Sequence, residues 1–208
     1  MNCLFRELQK GTDYINYLKQ ALSLGPKEED LKEIVDDLYK GKTDDSVFNY
    51  SMYEFLNMVQ SNLSKASCRE NQKNVLFAHC WRNPSVGYVQ GLNLLVAYLL
   101  CFLDEENAFW MLTYLIEVVL PKDFYSKTAK DTYFYGFYAE CYALKQLTIK
   151  QLDINDSAGK ESICSFLDAI LPSFLLPLLI NTLNAKCLFH VWDKMIRNNE
   201  VIWFLLYA

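Results

Sequence analysis

Trp81-Arg82-Asn83-Pro84-Ser85-Val86-Gly87-Tyr88-Val89-Gln90-Gly91-Leu92-Asn93 is the stretch from which the rest of the chain is best read. Pro84, Ser85 and Gly87 are turn formers. After Gly91 the apolar residues fall at Leu92, Leu95, Val96, Leu99, Leu100 and Leu103, which is helical spacing. The stretch therefore predicts a turn that passes into an apolar helix, with Gln90 at the join. A glutamine amide both donates and accepts hydrogen bonds and does not exchange a proton at neutral pH. Held there, it suits the orientation of a water or a bond to a phosphate oxygen, in a reaction whose other groups come from elsewhere. The same amide could instead cap the turn through backbone hydrogen bonds.

Helical spacing recurs on both sides of this stretch, and strand alternation is almost missing. Leu31, Ile34, Val35 and Leu38 mark a helix that starts near Pro26, carries Glu28, Glu29 and Asp30 in its first turn and stops at Gly41. Met52, Phe55, Leu56, Val59 and Leu63 mark another. Val75, Leu76 and His79 mark a third, ending at the Asn83-Pro84 turn. Asp104 is placed to cap a helix through Phe109, Leu112, Leu115, Ile116 and Val119, with Glu105 and Glu106 at its positive end. Beyond Pro121, helices are expected through Phe134, Phe137, Tyr138 and Cys141, through Ile163, Phe166, Leu167, Ile170 and Leu171, and through Leu188, Val191, Trp192 and Met195. A last one begins near Val201. The fold class expected is all-α: a single domain of many short packed helices over residues 1–208. The chain ends at Ala208 inside an apolar segment, which reads as truncation at the C-terminal end.

Bulk properties narrow the function. The chain has 208 residues, 52% hydrophobic and 15% aromatic, enough for a real core. Its net charge is −5 with no basic block, which argues against nucleic acid as a partner. The seven cysteines form no CxxC pair and read as reduced thiols of a cytoplasmic protein. With two histidines, His79 and His190, and no HExxH, no metal site is expected, and both histidines read as ordinary packing positions. The most apolar run, Phe166 to Ile180, is interrupted by Pro172 and Pro177 and falls short of the roughly 20 residues that span a bilayer. It reads as buried core, so membrane association would come through a partner. The glycines are not clustered and there is no GxxxxGK loop, so no nucleotide site of its own is expected.

With these residues in view, the chain resembles the TBC domain, the helical domain of Rab GTPase-activating proteins. The likeness runs from about residue 30 to about residue 205. Tyr88-Val89-Gln90-Gly91, with the Arg82-Asn83-Pro84 turn before it, is similar to the family's YxQG glutamine-finger motif. Asp104-Glu-Glu-Asn-Ala-Phe-Trp110 resembles its acidic-aromatic helix start. Leu188-Phe-His-Val-Trp-Asp193 resembles its late WD segment, with His190 where arginine is usual. The family's IxxDxxR motif falls on Ile34, Asp37 and Lys40, where lysine stands in place of the finger arginine. No substitute is evident, since the four arginines are Arg6, Arg69, Arg82 and Arg197.

The resemblance implies a Rab-family small GTPase as partner. GTP and its Mg²⁺ would be held by that partner, and the chain would carry no cofactor of its own. Gln90 would orient the attacking water, and Lys40 would take the arginine's place on the phosphoryl group. Lysine is a compact, strongly hydrated point charge without the planar fork of guanidinium, so weak or absent activation is expected. At a helix C-terminus Lys40 also has a purely structural reading, opposite the helix dipole and three residues after Asp37. Ile34, Asp37, Arg82, Asn83, Tyr88 and Gly91 are the supporting or partner-binding positions, with Arg82 and Asn83 reading more as holders of the turn. Trp192 and Asp193 read as a buried ring and a helix-end carboxylate. Three functions follow as alternatives: a Rab GTPase activator, a catalytically silent Rab-binding or scaffolding module, and a helical scaffold with no GTPase partner.

Overall fold

The computed structural model describes residues 14–40, 65–128, 131–180 and 182–198. The expected helices over Met52–Leu63 and from Val201 lie outside the described residues. The helices are α1 (Tyr14–Leu24), α2 (Glu28–Val35), α3 (Lys65–Arg82), α4 (Leu92–Leu100), α5 (Glu105–Tyr114), α6 (Tyr135–Gln151), α7 (Ser157–Leu175) and α8 (Ala185–Asn198). Wider π-turns continue two of them: Asp36–Lys40 follows α2, and Leu115–Val119 follows α5. The architecture is all-α, as the spacing implied.

Each boundary has a local cause. Asp104 stands in extended conformation ahead of α5 and accepts from the Asn107 backbone N–H at 2.9 Å. Asp156 does the same for α7, accepting from the Gly159 N–H at 2.7 Å. Glu105, in the first turn of α5, accepts from the Tyr14 hydroxyl at 2.5 Å and from Asn74, so the positive end of α5 also ties down α1 and α3. The four helices α1, α3, α4 and α5 pack on one another around Val75, Leu76, Leu92, Leu95, Phe109 and Leu112, all fully buried. Tyr14 and Tyr17 lay their rings against Phe109, with centroids 5.0 and 5.8 Å away.

Several expectations are corrected. A short antiparallel pair, β1 (Lys127–Thr128) and β2 (Asp131–Phe134), precedes α6, so Phe134 ends a strand and does not lie in the helix. Helix α4 stops at Leu100, short of Leu103, because Asp104 must stand extended to cap α5. Pro172 does not break its segment: α7 runs through it to Leu175 and the break comes at Pro177. The Phe166–Ile180 run is only partly core. Phe166 is exposed, whereas Leu171, Leu175 and Leu178–Ile180 are buried. His79 is fully buried but His190 is exposed, because α8 turns Leu188, Trp192 and Met195 inward and His190 falls between those positions. Asp193 lies within α8, exposed and paired with Arg197 one turn on, and is not at a helix end. No helix among the described residues is long and apolar enough to cross a membrane.

Candidate functional site

The glutamine loop is built from two tight turns joined by one residue. The Val86 and Gly87 N–H groups both bond the Asn83 carbonyl, at 3.0 and 2.8 Å, closing the Asn83-Pro84-Ser85 turn. The Leu92 N–H bonds the Val89 carbonyl at 3.1 Å, closing the second turn at the mouth of α4. Between them Tyr88 is 1% exposed and its N–H goes to a side chain, Asp30 Oδ1, at 2.9 Å. Gly91 precedes α4 with φ +100, a left-handed conformation costly for a residue with a Cβ. The consequence is that Val89 points into the core while Gln90, next along, is exposed.

Gln90 lies on the rim of a groove of about 510 Å³ whose other walls are Glu29, Lys32, Glu33, Asp36, Asp37 and Tyr88. Among the described residues, no hydrogen bond holds its side-chain amide. The groove floor is tied to the loop: the Tyr88 hydroxyl donates to Asp37 Oδ2 at 2.5 Å. Burial, reinforced by that bond, pushes the Tyr88 phenol well above its ordinary range, so it stays a donor. Ile34, one turn before Asp37, is fully buried and anchors this face of α2. Lys40 ends the π-turn three residues after Asp37, and its side chain lies outside the described residues.

Arg82 and Asn83 are not among the residues that line the groove. Arg82 Nε and Nη2 donate to the two oxygens of Glu117 at 2.7 and 2.9 Å, and Nη1 donates to the Tyr17 hydroxyl at 2.7 Å. Its guanidinium also lies over the rings of Tyr17 and Trp110, at 5.2 and 5.6 Å from their centroids. Asn83 Nδ2 donates to the same carboxylate at 3.0 Å. Burial raises the Glu117 pKa, but the bonds from Arg82 and Asn83 together outweigh it and hold the carboxyl below its ordinary value. The two carboxylates that grip this loop region from below, Asp37 and Glu117, both sit on π-turns. Such wider turns shift a side chain's bearing relative to a regular helix and often mark functional positions.

A second contact supports the loop from the far side. A Cβ placed on Gly91 would lie 3.3 Å from Pro177 Cβ. Pro177 opens a turn in which Leu178 and Leu179 both take left-handed backbone, at φ 48 and 67. Two side chains hold it: Trp192 Nε1 donates to the Leu178 carbonyl at 3.0 Å, and the Tyr125 hydroxyl donates to the Leu176 carbonyl at 2.5 Å. Trp192 is thus more than core filling; it pins the turn on which Gly91 rests. Asp30, Glu117 and Pro177 were not singled out in the sequence as parts of this site. For Asp30 a signal existed, because it shares a helical face with Ile34 and Asp37. The pairing of Arg82 with Glu117 joins residues 35 apart and leaves no local trace.

A family model for the Rab-GTPase-TBC domain matches residues 52–208, which includes Gln90 and the Trp192 turn and begins after Lys40. Among known proteins, the chain is 32% identical over 132 residues to TBC1 domain family member 2B of Xenopus tropicalis, covering 64% of this chain and 13% of that one. It is 55% identical over 56 residues to human TBC1 domain family member 2B, covering 27% of this chain and 6% of the relative. It is 31% identical over 134 residues to human Small G protein signaling modulator 3, covering 64% of this chain and 17% of the relative. The matched part is therefore a small share of each relative's length. No solved structure matches the chain.

Proposed function

Because this chain belongs to the Rab-GTPase-TBC domain family, we propose that it docks on a GTP-loaded Rab-family GTPase and lends it Gln90. One observation carries the reading: Gln90 stands exposed on the rim of a groove, on a loop held from beneath by Asp37 and Asp30 and from behind by Pro177. An amide carried on a loop so held can orient an attacking water without exchanging a proton. The GTPase itself brings GTP and Mg²⁺. The groove's four carboxylates and one lysine are a poor seat for free phosphates, so the nucleotide arrives already bound. The chain is then an activator, with no substrate of its own, working in the cytoplasm and reaching endomembranes through its partner.

Lys40 sets the expected strength. An arginine given in trans to a GTPase contributes about 10³–10⁵ in rate through its planar, bidentate contacts. Lysine keeps the charge and loses the fork, so activation is weak. That substitution also favours a second reading, a module that binds the GTPase and does not accelerate it. A hydrolysis screen across purified Rab GTPases decides between them, run with wild type, Lys40→Arg and Gln90→Ala, alongside binding to a transition-state mimic. Lys40→Arg raising the rate, with Gln90→Ala abolishing it, supports activation. Binding of GTP-loaded Rab without acceleration by either protein supports the silent module, and no binding at all rejects both.

A further inference from the structure

The geometry points to Asp30 as a positioning residue for Gln90: a buried carboxylate on α2 that holds the finger loop by its backbone. This rests on the reading of Gln90 as the lent group. Glu28 and Glu29, its neighbours in the first turn of α2, are exposed, whereas Asp30 is 4% exposed. Burying a carboxylate is costly unless it is hydrogen-bonded, and here it accepts the Tyr88 N–H at 2.9 Å. That N–H is the one between the two backbone-closed turns, two residues before Gln90.

The neighbouring residue is shaped to admit the carboxylate. Gly87 has φ +60, and a Cβ there would lie 2.7 Å from both Asp30 oxygens. Glycine at 87 thus serves close approach as well as turn conformation. Asp30 and Asp37 are seven residues apart, two helical turns on one face, with buried Ile34 between them. The segment ending at Lys40 therefore grips the glutamine loop twice, by the Tyr88 N–H through Asp30 and by the Tyr88 hydroxyl through Asp37. Asp30 fixes the backbone path that aims Gln90 and makes no approach to the reacting groups itself.

The test has a structural arm and a kinetic arm, both on the whole chain. In Asp30→Ala, exchange of the Tyr88 amide proton, followed by NMR, should quicken by about tenfold or more, the scale of one charge-assisted hydrogen bond. Exchange at Val96, Leu99 and Leu100 in α4 should be unchanged. Asp30→Asn keeps an acceptor and should restore most of the protection, whereas Gly87→Ala, driving a methyl into the carboxylate, should mimic the loss. For kinetics, the Lys40→Arg background is assayed with GTP-loaded Rab GTPases. Asp30→Ala should lower kcat about tenfold with KM within about twofold, since aim is lost and docking is not. Unchanged Tyr88 exchange in Asp30→Ala, an Asn variant as impaired as Ala, or a rise in KM at constant kcat would each overturn the inference. If neither wild type nor Lys40→Arg accelerates any Rab, the reading of Gln90 fails instead, and the exchange arm alone still decides whether Asp30 holds the loop.

Discussion

The hydroxyl of Tyr88 donates to the carboxylate of Asp37 at 2.5 Å, joining the loop that presents Gln90 to the segment that ends in Lys40. The two stretches are about fifty residues apart in the chain, and this bond, with that of the Tyr88 N–H to Asp30, ties them together. If both Gln90 and Lys40 are offered to one GTPase, their relative placement depends on this contact. Its donor is well protected, since burial and the acceptor itself keep the phenol protonated.

Removing that hydroxyl is the first prediction. Tyr88→Phe keeps the buried ring and deletes the donor, leaving the Asp37 carboxylate short of a partner. The expected loss is about 2 kcal/mol in urea unfolding, the usual scale for a hydrogen bond to a charged group. Asp37→Ala should cost a similar amount, and the double variant less than the sum, because both remove one interaction. A loss under about 0.5 kcal/mol in Tyr88→Phe would mean the contact contributes little.

Gly91→Ala should be worse than its size suggests. The position combines φ +100 with a Cβ that would meet Pro177 at 3.3 Å. Left-handed strain for a non-glycine residue costs about 1 kcal/mol or more, and the crowding adds to it. The expected destabilisation is about 2 kcal/mol by thermal unfolding, accompanied by loss of any GTPase activation, because the residue beside it is Gln90.

How much of this was legible in the sequence follows from the range of each interaction. The helices, the Asp104 cap and the turn ahead of Gln90 are set by residues within one or two turns of each other, and periodicity or capping chemistry exposes them. The sequence suggests an interruption at Pro172 because proline's cost in a helix is local, while burial of Leu171 and Leu175 is tertiary and outweighs it. The strand pair before α6 escaped notice because its strands have only two and four residues, too short for alternation to register. At the site, Gln90 could be seen because its own turn presents it. Asp30 leaves a weaker trace, the helical face it shares with Ile34 and Asp37, whereas the carboxylate of Glu117 leaves none, since its role exists only once the α5 π-turn is packed against Arg82 and Asn83.

Trp192 and Asp193 offer a matched pair for the third prediction. Trp192 is buried and donates to the Leu178 carbonyl inside a turn of two left-handed leucines, while Asp193 is exposed and, among the described residues, pairs with Arg197. Trp192→Phe keeps most of the apolar area and removes the donor, leaving a buried carbonyl short and the strained turn less constrained. A loss of about 2 kcal/mol is expected. Asp193→Asn should stay within about 0.5 kcal/mol of wild type, as exposed pairs one helical turn apart usually do. Equal effects at the two positions would show that the turn under Gly91 does not depend on the indole.

Acid should weaken the fold through His79, which is fully buried on α3. Burial lowers its pKa from 6.5 to about 4, opposed by the nearby Glu117 carboxylate and reinforced by Arg82. Below pH 6.5 the unfolded chain takes up a proton that the folded chain refuses. Stability is therefore fully present above pH 6.5, falls as pH drops toward about 4, and levels off for this group below that. The expected loss is about 3 kcal/mol over that window. Glu117, whose folded pKa is held below its ordinary value of 4.5, adds a further decline as pH falls through that value, because its bonds from Arg82 and Asn83 are lost on protonation. Unfolding free energies measured by urea from pH 7 down to about pH 3 separate the two. His79→Gln should flatten the slope between pH 6.5 and pH 5, where carboxylates scarcely titrate, and Glu117→Gln should leave that part of the slope unchanged. A wild-type curve that is flat across the upper window would mean that His79 accepts its proton without leaving the core.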